Sequence, residues 1–307
     1  MITIPETDLV VHPLCLGGNV FGWSADQAQS KSVLDAYSSH GGNFIDTADV
    51  YSEWKEGNVG GDSEKIIGSW MKERGNREQI VVATKVSKLS TRPGLSAANI
   101  LTACEESLNR LQTDYIDLYY SHEDDASVPL EEVFGAYAQL IAQGKVRYIA
   151  ASNFSSPRLQ EALAFSADNS LPSYIAVQDR YNLVAREPFE SETAPILAEH
   201  SISCIPYFGL ARGFLTGKYR PGITVDSVRA SGVTEYLNEK GYAVITALDE
   251  IAKNHNTTIS AIALGWVRAN PMVSTPIASA RTVDQLNEII PVIALTPEEV
   301  NSLNRIS

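Results

Sequence analysis

Asp46, Tyr51, Lys85 and His122 are the side chains in this sequence whose types and spacing could do proton chemistry. Asp46 and Tyr51 lie five positions apart in Phe44-Ile45-Asp46-Thr47-Ala48-Asp49-Val50-Tyr51, a stretch that opens apolar and closes polar, like a strand running out into a loop. Lys85 and His122 each stand at the end of a later apolar run. A tyrosine beside an ammonium group can serve as a general acid, because the cation favours phenolate and lowers a pKa that starts near 10. An aspartate beside that lysine keeps it charged and in place. A histidine can hydrogen-bond a carbonyl oxygen and stabilise developing alkoxide.

Such groups converge only if the chain delivers them to one place. Strand-like segments are expected at 14–16, in 44–51 before it runs out into a loop, and at 80–85, 115–120, 146–151, 174–178, 202–207 and 273–278. Helix-like segments fall between them: Asp26 to about Ser39, Asp62 to Gly75, Ser96 to Leu111, Leu130 to Ala142, one with Pro157 in its first turn, and Pro188 to His200. Further helices are expected at about 236–254, 258–269, 283–290 and 297–306. Ile80–Thr84 is apolar apart from its last residue, as expected of a parallel strand covered on both faces. Residues 208 to about 235 are rich in Gly, Arg and Ser and read as one long loop, a length more often functional than incidental.

Eight strand–helix alternations with no linker, charge block or repeat in 307 residues predict a single (β/α)8 TIM barrel domain over 1–307, with extra helices and a long loop after strand seven. Gly17-Gly18-Asn19-Val20-Phe21-Gly22 lacks the spacing of a GxGxxG turn, which argues against an open dinucleotide-binding sheet. In a barrel the C-terminal strand ends and the following loops form the site. Those ends carry Asp46 and Tyr51, Lys85, His122, Ser152-Asn153, Gln178, Tyr207 and Ser279-Ala280-Arg281. Ser, Asn and Gln can fix a carboxamide and a tyrosine ring can stack on a flat heterocycle. Reduction of a carbonyl with a nicotinamide cofactor would employ all of these parts.

Composition narrows the classes. Hydrophobic residues make up 44% and charged residues 20%, ordinary for a well-cored globular chain. A net charge of −13 argues against a nucleic-acid surface, and no apolar run reaches the roughly 18 residues that span a bilayer. The N-terminus has neither a basic region nor a cleavable apolar core, so secretion is not expected and a cytoplasmic location is. Cys15, Cys104 and Cys204 lie far apart with no metal-ligand spacing, and read as buried thiols in a reducing compartment with no metal bound.

The motifs FIDTADVY (44–51), GGDSEKIIG (60–68), ATKV (83–86), DLYYSHEDD (117–125), GKVRYIAASNF (144–154), VQDRYN (177–182), LARGFLTGKY (210–219) and PIASARTVDQL (276–286) together resemble the aldo-keto reductase superfamily, nearly end to end. The resemblance implies a tetrad of Asp46, Tyr51, Lys85 and His122, with Tyr51 protonating the carbonyl of a small-molecule aldehyde or ketone. It implies that Ser152, Asn153 and Gln178 hold a carboxamide and that Tyr207 stacks on nicotinamide. Phe208 to Lys218, including Gly209, Leu210, Arg212 and Gly213, would wrap a pyrophosphate, largely through backbone N–H groups. Ser279, Arg281, Gln285 and Glu288 match the adenosine end. Arg281 suits a 2′-phosphate, which makes NADP(H) the expected cofactor.

Phe208-Gly209 stands where a Ser-Pro pair is common, Ile289 stands in place of a usual asparagine, and Ser52 to Val59 is a longer insertion. Trp54 in that insertion and Trp23 after the first strand are candidate pocket walls. Some relatives are channel β subunits that sense cofactor redox state, an alternative without substantial turnover; no N-terminal inactivation segment supports it, since the barrel is expected to begin almost at Met1. A Schiff-base role for Lys85 is disfavoured, because Asp46 nearby opposes the neutral amine.

Overall fold

The computed structural model describes residues 1–226 and 230–307. Two short strands, β1 (Ile2–Thr3) and β2 (Val10–Val11), pair antiparallel before the barrel begins. This hairpin was not expected from the sequence: each strand has two residues, too few for an alternation to register. Its Ile4, Leu9 and Val11 are buried together with Cys15, Phe44, Val81, Leu118, Ala150, Ala176 and Ile205 from the barrel strands.

The barrel consists of β3 (Cys15–Gly17), β4 (Phe44–Asp46), β5 (Val81–Val86), β6 (Ile116–Ser121), β7 (Val146–Ser152), β8 (Tyr174–Gln178), β9 (Ser203–Cys204) and β10 (Ile277–Ala278). All neighbours are parallel, in the order β10-β3-β4-β5-β6-β7-β8-β9. The last seam closes through Ser274 N donating to Cys204 O at 2.9 Å and Ile277 N donating to Pro206 O at 2.9 Å. The expected (β/α)8 architecture is the one observed.

The helices are α1 (Gln27–Ser39), α2 (Asp62–Arg74), α3 (Ala97–Leu111), α4 (Leu130–Ala142), α5 (Ser156–Asp168), α6 (Ala194–His200), α7 (Glu239–Asn254), α8 (Ile259–Arg268), α9 (Val283–Ile289) and α10 (Pro297–Ile306). Local chemistry sets several of the starts. Asp26 and Gln29 cap each other's backbone N–H at α1, and Thr296 with Glu299 does the same at α10. The outer layer buries the apolar stripes of these helices, such as Val33, Leu34, Ile67 and Trp70, against the outward faces of the strands.

Expectation and structure part at the seventh and eighth strands. Residues 202–207 and 273–278 keep only two ladder residues each, β9 and β10, because Pro206 and Pro276 lack the N–H that a longer ladder needs. The helix expected from Pro188 begins as a wide π turn, Phe189–Thr193, before α6. The expected loop 208–235 is partly ordered into 3-10 turns at Ala211–Thr216 and Ala230–Tyr236; residues 227–229 of it lie outside the described residues.

Candidate active site

At the C-terminal ends of the strands the side chains converge. Asp46 is the last residue of β4, Lys85 the fifth of the six in β5, and His122 directly follows β6. Beyond β4 the chain turns back over its own end: Thr47 N donates to Ala83 O at 2.8 Å, Asp49 N to Lys85 O at 3.2 Å and Tyr51 N to Ala48 O at 3.1 Å. That fold brings Tyr51, five residues on, above the strand it left. Lys85 Nζ donates to Asp46 Oδ2 at 2.7 Å, to Thr47 O at 2.7 Å and to Tyr51 Oη at 2.9 Å. Tyr51 Oη donates to the same Asp46 Oδ2 at 3.1 Å, and Gln178 Nε2 donates to Asp46 Oδ1 at 2.8 Å.

Lys85 is 0% exposed and Asp46 2%. An ion pair this deep is tolerated only when its remaining donors and acceptors are satisfied, and here the ammonium has its full complement of three acceptors. Burial pulls the Lys85 pKa down and Asp46 opposes that shift. The Tyr51 ring stands 6.0 Å from the His122 ring at an interplanar angle of 70°. Desolvation, with Lys85 and Lys88 adding to it, holds His122 well below the usual histidine range, so its ring is neutral at physiological pH.

The expected lowering of Tyr51 is not what the site produces. Burial, then the Asp46 charge and the hydrogen bond donated to Asp46, push Tyr51 well above 10. The lysine charge that was to favour phenolate is balanced by the carboxylate it is paired with. Tyr51 is therefore a full phenol here, holding the proton it could give.

The tetrad opens into a cleft of about 730 Å³ at the strand ends. Tyr51, Asp46 and His122 line it, with Lys85 beneath. Every residue expected at a cofactor lines it too: Ser152, Asn153, Gln178, Tyr207, Phe208, Gly209, Leu210, Arg212, Gly213, Lys218, Ser279, Arg281, Gln285 and Glu288. Ser152 Oγ donates to Gln178 O at 2.8 Å, Asn153 Nδ2 to His122 O at 2.8 Å, and Tyr207 Oη to Asn153 Oδ1 at 2.8 Å. Gln178 turns its amide nitrogen to Asp46, which leaves its oxygen as the group for a further donor.

Phe208, Ala211, Arg212 and Gly213 have left-handed φ values of 57°, 46°, 57° and 98°. This winds the backbone tightly, and the N–H groups of Ala211, Gly213, Leu215 and Gly217 are engaged by carbonyls of the same segment. Fewer backbone donors are thus free for an anion than the sequence suggested, while Arg212 and Lys218 bring positive charge to the same wall. The departure at Phe208 has a structural use, since the Arg212 guanidinium sits 4.7 Å over its ring. On the facing wall, Gln285 Oε1 accepts from Arg281 N at 3.0 Å, and the Arg281 guanidinium has no partner among the described residues.

Trp54 lines the cleft; Trp23 stands behind it, edge-on at 5.7 Å and 89°, rather than on the lining. The sequence reading missed Asn19 and Lys88, both lining residues. Asn19 accepts from Ser279 Oγ at 2.6 Å across the β3–β10 seam, and its signal was the Gly17-Gly18-Asn19 turn, read only as a turn. Among the described residues no cluster could hold a metal, and no helix is long and apolar enough to cross a membrane.

Residues 13–307 match the aldo/keto reductase family. The chain is 33% identical to the uncharacterized oxidoreductase YrpG of Bacillus subtilis, covering 98% of this chain and 94% of that one. It is 32% identical to a probable voltage-gated potassium channel subunit beta of Arabidopsis thaliana, over 95% and 90% of the two chains. It is 31% identical to norsolorinic acid reductase A of Aspergillus parasiticus, over 99% and 79%. With eight parallel strands converging on a polar cleft and a match of this extent, the chain belongs to the aldo/keto reductase family of oxidoreductases, which generally use a nicotinamide cofactor.

Proposed function

We propose that this protein is an NADP(H)-dependent reductase that converts an aldehyde or ketone to the alcohol. The observation that carries the reading is the buried Asp46–Lys85–Tyr51 network opening at Tyr51 into the cleft. The cofactor, when bound, supplies a hydride to the carbonyl carbon. Tyr51 gives its phenolic proton to the carbonyl oxygen, and the phenolate left behind lies 2.9 Å from the Lys85 ammonium, which stabilises it. Asp46 keeps Lys85 charged through that step. Neutral His122 hydrogen-bonds the carbonyl oxygen and fixes its direction toward Tyr51.

The residues fit such a cofactor. Gln178, Asn153 and Ser152 present acceptor and donor groups side by side, Tyr207 offers a ring, and Arg212 and Lys218 supply positive charge in a chain of net charge −13. The unpaired guanidinium of Arg281 supports a 2′-phosphate and hence NADP(H) over NAD(H). The three free, buried cysteines support a reducing, cytoplasmic setting.

The test is NADPH consumption with a panel of aldehydes and ketones by the protein and by Tyr51→Phe. Loss of one general acid costs roughly 10²- to 10⁴-fold in kcat, while NADPH affinity is expected to stay within twofold. Equal turnover by both proteins would refute the assignment of Tyr51. The Arabidopsis relative named as a channel subunit favours a second reading, a redox-sensing subunit that binds NADP(H) without substantial turnover. Tight binding with no consumption of any carbonyl compound would select it.

A further inference from the structure

The proposed reductase leaves its substrate open beyond the carbonyl group, and the wall next to Tyr51 narrows it. Trp54 is 49% exposed, an unusual position for so large an apolar side chain, and its exposed surface lines the cleft. Its ring lies 6.0 Å from the Tyr51 ring at 60°, so the indole wall begins beside the group that meets the carbonyl oxygen. Trp23 packs edge-on behind it and fixes the indole from the rear.

The segment bearing Trp54 is tied down on two sides. Ser52 Oγ donates to Phe21 O at 2.7 Å, while Lys55 Nζ and Asn58 Nδ2 each donate to Gly22 O at 3.2 Å. On the other side Glu53 accepts from the Ser90 backbone N–H and hydroxyl. Residues on either side of Trp54 are therefore anchored to two different barrel loops, and the indole is held in place before any ligand arrives. A preformed flat surface loses little conformational freedom on binding.

The lysine on this part of the lining already has a carboxylate partner. Lys88 lines the cleft and pairs with Glu123 at 3.1 Å, so it offers little attraction to a carboxylate or phosphate on the substrate. We propose that Trp54 is a specificity-determining residue that selects uncharged carbonyl compounds bearing an aromatic ring next to the carbonyl group. This rests on the reductase reading above.

The test compares kcat/KM for benzaldehyde, cyclohexanecarboxaldehyde and 4-carboxybenzaldehyde in wild type, Trp54→Phe and Trp54→Leu. The ratio of benzaldehyde to cyclohexanecarboxaldehyde is expected to fall roughly threefold to tenfold in Trp54→Leu, the usual yield of one aromatic pair beyond its burial, and to be largely kept in Trp54→Phe. Wild type is expected to use 4-carboxybenzaldehyde at least about tenfold less well than benzaldehyde, from the cost of desolvating an unpaired carboxylate. An unchanged ratio in Trp54→Leu, with NADPH binding intact, would overturn the role of Trp54 while leaving the reductase reading standing. Equal use of the carboxylated and plain aldehydes would overturn the selection against charge. If no aldehyde is consumed although NADPH binds, the reductase reading fails, and this inference with it.

Discussion

The floor of the cleft and its outer wall handle charge in opposite ways. On the floor, Asp46 and Lys85 are carried by β4 and β5, shut away from water and satisfied by side chains and one carbonyl. On the wall, Arg212, Lys218 and Arg281 are carried by tightly turned or loop backbone and open onto the cleft. Ion pairs are strong and indivisible in the first environment, because removing one member strands the other. Cations in the second lie nearer water and are more strongly screened. On the proposed function, the floor fixes the proton chemistry and the wall holds the anionic cofactor.

Breaking the floor should have the largest effect. Lys85→Met leaves Asp46 buried without its cation, and unfolding free energy is expected to fall by about 3–5 kcal/mol in urea titrations at neutral pH. The double variant Lys85→Met/Asp46→Asn should recover part of that loss. A loss under about 1 kcal/mol would mean that the pair is not the electrostatic unit its geometry describes.

Asp49 sharpens the contrast, since it lies three residues from Asp46 and is just as buried but has no hydrogen-bond partner on either carboxylate oxygen. Burial, reinforced by Glu64 and opposed by Arg110 and Arg92, pushes it from 3.8 up to about 7. The folded state therefore holds a proton that the unfolded chain has already lost between pH 4 and 7. Stability contributed by this group is full below pH 4 and is lost as pH rises through 7, by up to about 4 kcal/mol for a shift of this size. Asp49→Asn resembles the protonated form. Its stability relative to wild type should accordingly rise between pH 5 and pH 8; urea midpoints that stay parallel across that range would contradict the shift.

The two regions also differed in how legible they were. Apolar runs ending in Asp46, Lys85, His122 and Gln178 announced strands and their exits, because a parallel strand buried on both faces leaves a continuous apolar signature. Each residue expected at the cofactor lines the cleft: Ser152, Asn153 and Gln178 because they stand at strand ends, and those of 208–218 and 285–288 as the family resemblance implied rather than from any strand signature. The acidity of Tyr51 did not follow from residue types. It depends on which oxygen of Asp46 lies between tyrosine and lysine, a matter of ångströms that only the folded site fixes. The left-handed backbone at Phe208, Ala211 and Arg212 was equally hidden, because none of these residues favours that conformation on its own and tertiary contacts such as Asn182 Nδ2 to Phe208 O at 2.9 Å impose it.

The wall can be broken more gently, at Arg281. If its guanidinium receives a 2′-phosphate, Arg281→Ala removes charge-assisted hydrogen bonds worth about 1.5–3 kcal/mol. NADPH dissociation constants read from protein fluorescence should then rise roughly tenfold to a hundredfold, while those for NADH stay within about twofold. Because this side chain is only partly buried, the NADPH advantage of wild type should also shrink as salt is raised toward 1 M, where the screening length is about 3 Å. A floor interaction such as Lys85–Asp46, shut off from solvent, should show no comparable salt dependence. Equal weakening of both nucleotides in Arg281→Ala would move the 2′-phosphate site elsewhere on the wall, with Lys218 and Arg212 the next cations to replace.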